Sequence, residues 1–267
     1  MSKKNDRTLR VLNEVFELER LHYGMWLKND ELTFDNLKLA QNRYESNIIE
    51  QIPKNVKTIL DVGCGTGVMT KNLLKLGYNV HGLSPDINQK ELFTRELDTI
   101  FHHTTFGKFE VKDAYDCLIM SESSQYIKLN KLFAVAKQAL HNCKYLLVCD
   151  YFVLNEAKGI QKKSGHNYDS FMEQASLNGF KLISEQDITN DVLKTLDIGK
   201  NLVEKILLAL DIGTEKVRKK HPNLNKSIMW LFRNKIKDNK EQFDLMDSEK
   251  FKANKTYRFL LFQLNNK

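Results

Sequence analysis

Proline is scarce in this sequence: three prolines occur in 267 residues, and no run is rich in glycine, serine or any single residue type. Linkers and disordered segments are usually built from such runs, so their absence argues against long unstructured stretches. No internal repeat of solenoid length is present either. The hydrophobic content of 42% is enough for one sizeable core with a smaller appendage.

Long hydrophobic runs are also missing. The basic start, MSKKNDRTLR, is followed by no apolar stretch, so it does not have the pattern of a secretory signal. The longest apolar runs, such as YLLV and ILLAL, are too short to cross a bilayer. The sequence therefore predicts a soluble, cytoplasmic protein with no stable membrane insertion.

The cysteines form no CxxC pair, and no cluster of histidine, cysteine and acidic residues has metal-ligand spacing. Three of the four lie in or next to apolar, strand-like runs, where a thiol usually packs as a small hydrophobe. We expect reduced core cysteines, no disulfides and no metal site. The four residues are Cys64, Cys117, Cys143 and Cys149.

The charge balance is basic, with a net charge of +7 and a pI near 9.0. A basic balance can indicate an acidic partner such as nucleic acid. The lysines are spread along the whole chain, however, and only KVRKK at 216–220 forms a modest cluster. This distribution favours an ordinary solvated surface and predicts no nucleic-acid partner.

Apolar periodicity divides most of the chain into alternating strands and helices. Strands are predicted at 58–62, 79–84, 100–106, 115–121, 144–152, 179–188 and 256–264. Helical patterns between successive strands are typical of βαβ crossovers, which give a parallel sheet covered on both faces. We predict an α/β fold with a seven-stranded, mostly parallel sheet and helices on both faces.

Helical patterns extend beyond this alternation at 5–21, at 33–52 and over 191–250, where a long insert separates the last two strands. We predict four parts. They are an N-terminal helical cap segment (1–52), a cofactor-binding core (53–190), a helical cap insert (191–250) and the final core strand (251–267).

Residues 58–67, TILDVGCGTG, carry the most informative motif: an apolar strand runs directly into three glycines spaced two residues apart. Such glycines permit a tight turn and a close approach of backbone to ligand. A dinucleotide would present its pyrophosphate to the following helix, which suits the preceding carboxylate of Asp61 poorly. The sulfonium and ammonium groups of S-adenosylmethionine suit it better, so this cofactor is favoured over NAD.

With these residues the sequence resembles class I S-adenosylmethionine-dependent methyltransferases. TILDVGCGTG resembles their first motif. VHGLSPDINQ (80–89) and LHYGMW (21–26) resemble segments of the small-molecule members related to tocopherol, sterol and sarcosine methyltransferases and cyclopropane synthases. The resemblance implies a Rossmann-like fold and methyl transfer to a small, hydrophobic or aromatic metabolite under a helical cap, with S-adenosylhomocysteine as product. It leaves open O-, N- or C-methylation and the formation of a homodimer.

The resemblance also implies cofactor contacts. Asp61 would orient the amino group, Leu83 and Ser84 would flank the ribose with Asp86 as the alternative, and the loop 106–110 would cover the adenine. The predicted cofactor-binding residues are Tyr23, Asp61, Gly63, Cys64, Gly65, Thr66, Gly67, Leu83, Ser84, Gln89, Phe106, Phe109, Ser121, Glu122 and Gln125, with Lys108 and Glu110 as further candidates in the adenine loop.

His166 and His22 are the candidate general bases, because imidazole titrates near neutral pH. His166 follows the fifth strand, where acceptors often bind in this architecture; the alternative is a loop histidine without a role. Asp150, at the end of that strand, could contact the acceptor or cap a turn. Transfer from a sulfonium is an in-line displacement, so alignment and exclusion of water matter most.

Two other functions are weighed. A methyltransferase acting on RNA or protein would show a basic, aromatic face or an added module. The NPPY motif of many nucleic-acid amino-methylating enzymes is absent, and the corresponding stretch reads SESSQY (121–126). A non-catalytic protein that keeps the fold as a sensor or scaffold is disfavoured by the intact glycine turn.

Overall fold

The computed structural model describes residues 18, 20, 22–112, 114–220 and 244–265. Its helices are α1 (Phe34–Glu50), α2 (Val68–Lys75), α3 (Ile87–Glu96), α4 (Leu129–Ala139), α5 (Tyr168–Leu177), α6 (Thr189–Lys220) and α7 (Ser248–Asn254). Its strands are β1 (Thr58–Val62), β2 (Asn79–Leu83), β3 (Phe101–His102), β4 (Tyr115–Ser121), β5 (Leu140–Val153), β6 (His166–Asn167), β7 (Phe180–Asp187) and β8 (Lys255–Leu264). The helix predicted at 5–21 lies outside the described residues except for Leu18 and Arg20, and so does part of the predicted insert, at 221–243.

The strands form one sheet in the order β3-β2-β1-β4-β5-β8-β7, with β6 paired to β5. All pairs are parallel except those of β8, which runs antiparallel to both β5 and β7. The predicted mostly parallel α/β sheet is confirmed, but it has eight described strands and not seven. The additional strand, β6, has two residues, which is too short to produce a periodic signal.

The third predicted strand, 100–106, is much shorter than expected. Only Phe101–His102 pairs with β2, and Phe106–Lys108 forms a 3₁₀ turn. The aromatic side chains that suggested a strand are used differently, because Phe106 and Phe109 pack into the core next to α4. A sequence does not distinguish an aromatic residue buried in a loop from one buried in a strand.

Helices cover the sheet on both faces, and alternate strand residues point to opposite faces, so both sets are buried. On β1, Ile59 packs in the cluster that includes Tyr44 of α1 and Leu73 of α2. Its neighbour Leu60 packs in the opposite cluster, together with Phe133 of α4. Burial on both faces explains why the central strands are continuous apolar runs.

The segment 22–30 lies against α6, the first helix of the predicted insert. Trp26 donates its backbone N–H to the Asp191 carbonyl at 2.9 Å and its indole N–H to Oγ1 of Thr195 at 2.9 Å. Lys194 donates to the carbonyls of residues 27, 28 and 30. The two segments that flank the core in sequence are therefore joined by hydrogen bonds, while their assignment as a cap stays a prediction.

The cysteine prediction is wrong at one position. Cys64, Cys117 and Cys149 are buried and free, but Cys143 is exposed. Its φ of 58° places it in the left-handed region, in the part of β5 where the register with β4 shifts between Leu140 and Tyr145. Among the residues described, no helix combines the length and the apolar character needed to span a membrane.

Gly24 offers a test of this packing, because a Cβ built there would lie 2.6 Å from Cβ of Ala40 and 3.0 Å from its backbone carbonyl carbon. We expect Gly24→Ala to lower the free energy of unfolding by about 1–3 kcal/mol, since only a backbone shift relieves the clash. Urea denaturation measures it.

Gly107→Ala is the matched control, because its Cβ would meet only the Lys131 side chain at 3.5 Å. We expect it to change the unfolding free energy by less than about 0.5 kcal/mol. Equal midpoints for the two variants would contradict the contact between segment 22–30 and α1.

Candidate active site

The glycine turn connects β1 to α2 at the carboxyl edge of the sheet. Gly63 and Gly65 have φ values of 79° and 56°, which side chains rarely adopt. A Cβ on Gly63 would lie 2.5 Å from Cβ of Ser123, so that glycine serves packing. A Cβ on Gly65 would meet no protein atom within 4 Å. The turn therefore presents bare backbone to open space at Gly65, as a ligand cradle requires.

Asp61 lies in β1 just before this turn and is 3% exposed. It accepts a hydrogen bond of 2.7 Å from Oγ1 of Thr70, the second polar group buried here. Burial raises the pKa of Asp61 to about 6, although the Thr70 bond opposes the shift. A cationic group bound beside it would favour the ionised form.

At the end of β2, Ser84 and Gln89 are bonded to each other: the serine hydroxyl donates to Oε1 of Gln89 at 2.7 Å. Asp86, the alternative ribose ligand, caps α3 by accepting the backbone N–H groups of Asn88 and Gln89. The Leu83 side chain lies in the core, and its carbonyl accepts the Gly63 N–H at 2.7 Å. Both predicted ribose ligands are thus engaged within the protein, and their contact with a ribose stays a prediction.

The predicted adenine loop has its aromatic side chains turned inward. Phe106 and Phe109 are 3% and 7% exposed and belong to the core, whereas Lys108 and Glu110 are exposed. The contact of the two phenylalanines with a cofactor stays a prediction, and this geometry does not favour it.

Glu122 connects the other side of the crevice to the N-terminal segment. It follows β4 with a φ of 51°. Its Oε1 accepts the Tyr23 backbone N–H at 2.7 Å and the Tyr257 hydroxyl at 2.8 Å. Burial raises its pKa, and these donors oppose the shift. The structure thus brings together Tyr23 and Glu122, which are 99 positions apart in the chain.

Ser121 and Gln125 lie on either side of Glu122 and are bonded to aromatic hydroxyls. The Ser121 hydroxyl is 3.1 Å from that of Tyr44. The side-chain oxygen of Gln125 accepts a short hydrogen bond from the Tyr151 hydroxyl. The end of β4 and the loop after it therefore bind tyrosines on α1 and β5.

Asp150, at which the sequence left two roles open, caps this same loop. It is fully buried and accepts bonds from the Ser124 hydroxyl at 2.7 Å and from the backbone N–H groups of Gln125 and Tyr151. Burial raises its pKa to about 7, with a smaller contribution from Glu122.

The two candidate bases are both engaged. His22 Nδ1 is 2.7 Å from the Tyr23 carbonyl and Nε2 is 3.3 Å from Oε1 of Glu45. These two contacts place the ring between the Tyr23 backbone and the Glu45 carboxylate. His166 Nε2 donates to the Ser124 carbonyl at 2.9 Å, which leaves Nδ1 as the basic nitrogen. Their catalytic roles stay predictions.

A cavity of about 320 Å³ lies beside these residues, between the core and the insert. Its lining comes from the N-terminal segment, β5, α6, α7 and β8, and from three residues outside these elements, Ser164, Leu245 and Met246. The lining residues are Tyr23, Tyr151, Ser164, Thr195, Leu196, Gly199, Leu245, Met246, Phe251 and Lys255. Within the described ranges, no group of three or more histidine, cysteine or acidic residues is arranged to hold a metal ion.

Sequence reasoning missed Lys255, the first residue of β8, which is 3% exposed. Its ammonium lies 4.2 Å from the Tyr151 ring centroid. A cation–π contact contributes about 0.5–2 kcal/mol, whereas the desolvation of a buried ion costs several kcal/mol. Burial accordingly lowers its pKa to about 8. The available signal was a lysine directly before an apolar strand, which more often marks a surface position.

Comparison with known proteins agrees with this architecture. The sequence profile of the family described as "Methyltransferase domain" matches residues 37–195, more than half of the chain. An uncharacterized methyltransferase of Bacillus cytotoxicus is 24% identical over 199 residues, which cover 72% of this chain and 87% of that protein.

Solved structures share the fold at low sequence identity. A sarcosine dimethylglycine methyltransferase from Galdieria sulphuraria, described by its authors as putative, superposes with a TM-score of 0.74 at 14% identity, covering 97% of this chain and 99% of that one. The [4+2]-cyclase SpnF gives 0.72 at 17%, covering 99% and 95%. The geranyl diphosphate C-methyltransferase of Streptomyces coelicolor, solved with S-adenosyl-L-homocysteine, gives 0.68 at 13%, covering 98% of each chain.

The buried carboxyl of Asp150 makes stability depend on pH. The folded protein holds this proton up to about pH 7, whereas the unfolded chain releases it near the ordinary value of 3.8. Its stabilising contribution is therefore complete below about pH 4 and is lost as the pH rises through about 7. We expect wild type to lose stability relative to Asp150→Asn between about pH 4.5 and about pH 7.5, measured by urea denaturation.

Asp98→Asn, at an exposed position, is the control for the loss of one negative charge. A difference between wild type and Asp150→Asn that stays constant over this pH range would contradict the buried, proton-retaining carboxyl.

Proposed function

Since the chain belongs to the methyltransferase domain family, we propose that it transfers a methyl group from S-adenosylmethionine to a small-molecule acceptor. The observation that carries this proposal is the glycine turn, whose backbone faces open space at Gly65 with the buried carboxylate of Asp61 directly before it. The fold by itself does not assign the reaction, because a [4+2]-cyclase shares it.

In this proposal the cofactor lies over the glycine turn. Asp61 takes the amino group, Gly63 to Gly67 with Cys64 and Thr66 take the methionine part, and Ser84 with Gln89 lies at the ribose. Ser121, Glu122 and Gln125 approach from the other side of the switch point, between β1 and β4, where open α/β sheets bind ligands. When bound, the cofactor supplies an electrophilic methyl group on a sulfonium.

The acceptor occupies the cavity beside Tyr23 and Tyr151 in this proposal. The N-terminal segment, α6 and α7 contribute to its lining, so we propose that they act as the cap predicted from the sequence. Their role is to exclude water and to hold the acceptor in line with the methyl group. A cavity of about 320 Å³ is within the size range of small-molecule pockets, which supports a small metabolite as the acceptor.

His166 is the residue we propose to assist an acceptor that needs deprotonation, through Nδ1. We assign His22 a positioning role, because its bonds connect the Tyr23 backbone to Glu45. Arg20 also binds this carboxylate, at 2.8 Å, which lowers the pKa of Glu45 together with His22.

Gly65→Val tests the proposed cradle. The valine side chain would occupy the open space beside Gly65, where the cofactor is proposed to lie. We therefore expect this variant to lose binding of S-adenosylhomocysteine, as measured by isothermal titration calorimetry.

Gly77→Val is a matched control, because Gly77 also has a positive φ, of 88°, and its Cβ would also meet no atom within 4 Å. It lies at the far end of α2, so it should carry similar backbone strain and keep its affinity. Binding by the Gly65 variant, or equal loss in both, would contradict the proposed site.

Asp61→Asn tests the electrostatic part of the proposal. The wild-type carboxyl has a pKa of about 6, so it gains its proton as the pH falls through 6 and stops attracting an ammonium group. We expect wild-type affinity for S-adenosylhomocysteine to fall between about pH 7.5 and about pH 5.

The asparagine variant should bind about tenfold more weakly at the higher pH and show a flatter profile, since its side chain has no charge to lose. Parallel profiles for the two proteins would show that Asp61 does not contact the ammonium.

A further inference from the structure

The cavity proposed for the acceptor has a marked charge asymmetry. Among the described residues that line it, Lys255 is the single charged one; the others are aromatic, aliphatic, hydroxyl-bearing, methionine or glycine. No described carboxylate contributes to the wall. A neutral acceptor would need no cation there, and a cationic acceptor would be repelled by it.

The part of the chain that the structure describes offers the Lys255 ammonium few hydrogen-bond acceptors. Its polar contact among the described residues is Oγ of Ser164, at a distance of 3.4 Å. It lies 4.2 Å from the Tyr151 ring centroid and 5.7 Å from that of Phe251, and no described acidic oxygen lies within 4.0 Å. An ammonium has three N–H donors, so Lys255 can still donate hydrogen bonds to a ligand in the cavity that it lines.

Asp150, the acid whose charge raises the pKa of Lys255, does not fill that role. Asp150 directs its oxygens to Ser124, Gln125 and the Tyr151 backbone, and acts on Lys255 only through its charge. Contact with two aromatic rings offsets only part of the cost of burying an ammonium. A fold that needed only a packing residue here would be served better by methionine.

We propose that the methyl acceptor carries a carboxylate, which the Lys255 ammonium binds while the apolar body of the acceptor lies against Tyr23 and Phe251. The Ser164 hydroxyl, already bonded to that of Tyr151 at 2.7 Å, supplies the adjacent polar wall. A single lysine balances one negative charge, so a carboxylate fits better than a phosphate ester. This inference rests on the proposed function.

The test compares acids with their isosteric amides. Wild type, Lys255→Met and Lys255→Arg, each saturated with S-adenosylhomocysteine, are titrated by calorimetry with benzoate, 4-hydroxybenzoate, cinnamate and octanoate, with the four corresponding amides, and with phenyl phosphate. We expect at least one acid to bind wild type at least about tenfold more tightly than its amide, and to lose that advantage in Lys255→Met. Lys255→Arg, which keeps the charge, should retain most of it.

Each other result overturns the inference. Binding of no acid, equal binding of an acid and its amide, or unchanged acid binding by Lys255→Met would remove the carboxylate contact. Tighter binding of phenyl phosphate than of every acid would assign the site to a phosphate. Failure of wild type to bind S-adenosylhomocysteine in the first step refutes the proposed function instead, so the two failures are distinguishable.

Discussion

The site depends on the hydrogen bonds that the Glu122 carboxyl group accepts. This residue follows β4 in a strained backbone conformation and accepts hydrogen bonds from the N-terminal segment and from Tyr257 of β8. Tyr257 is bonded in turn to Tyr44 of α1 at 2.8 Å. These donors offset part of the cost of desolvating the partly buried carboxyl group, so one residue joins the N-terminal segment, the end of β4 and β8. Strain at this residue is consistent with a functional position.

The two halves of the site are built by different means. The glycine turn belongs to the parallel sheet, whose strand ends create a crevice in any protein of this architecture. The cavity depends on segments outside the sheet, namely residues near Tyr23, α6 and α7. The match to the methyltransferase domain family, residues 37–195, contains the turn, whereas Tyr23, most of α6 and all of α7 lie outside it.

The sequence predicted the turn and the central strands well because local signals determine them. β1 and β4 are mostly apolar runs. Gly65 has a positive φ, a backbone conformation that glycine favours, so the residue type itself predicts the turn. Burial created by distant contacts was not predictable. Lys255 becomes buried only when α7 and Tyr151 pack around it, and the phenylalanines at 106 and 109 turn inward because α4 offers apolar surface there. Burial of these residues produces no periodic pattern in the sequence.

The hydroxyls of Thr189 and Thr256 lie 3.1 Å apart, where the chain leaves the sheet after β7 and where it returns in β8. Because these strands are neighbours, the entropy of closing the intervening loop grows only slowly with its length. The length of the chain between the two threonines can therefore change at little entropic cost, as long as its core residues, such as Val192 and Phe251, keep their packing. A segment inserted between two neighbouring strands can thus change in length while the sheet is kept, which is one route by which a shared scaffold acquires new substrates.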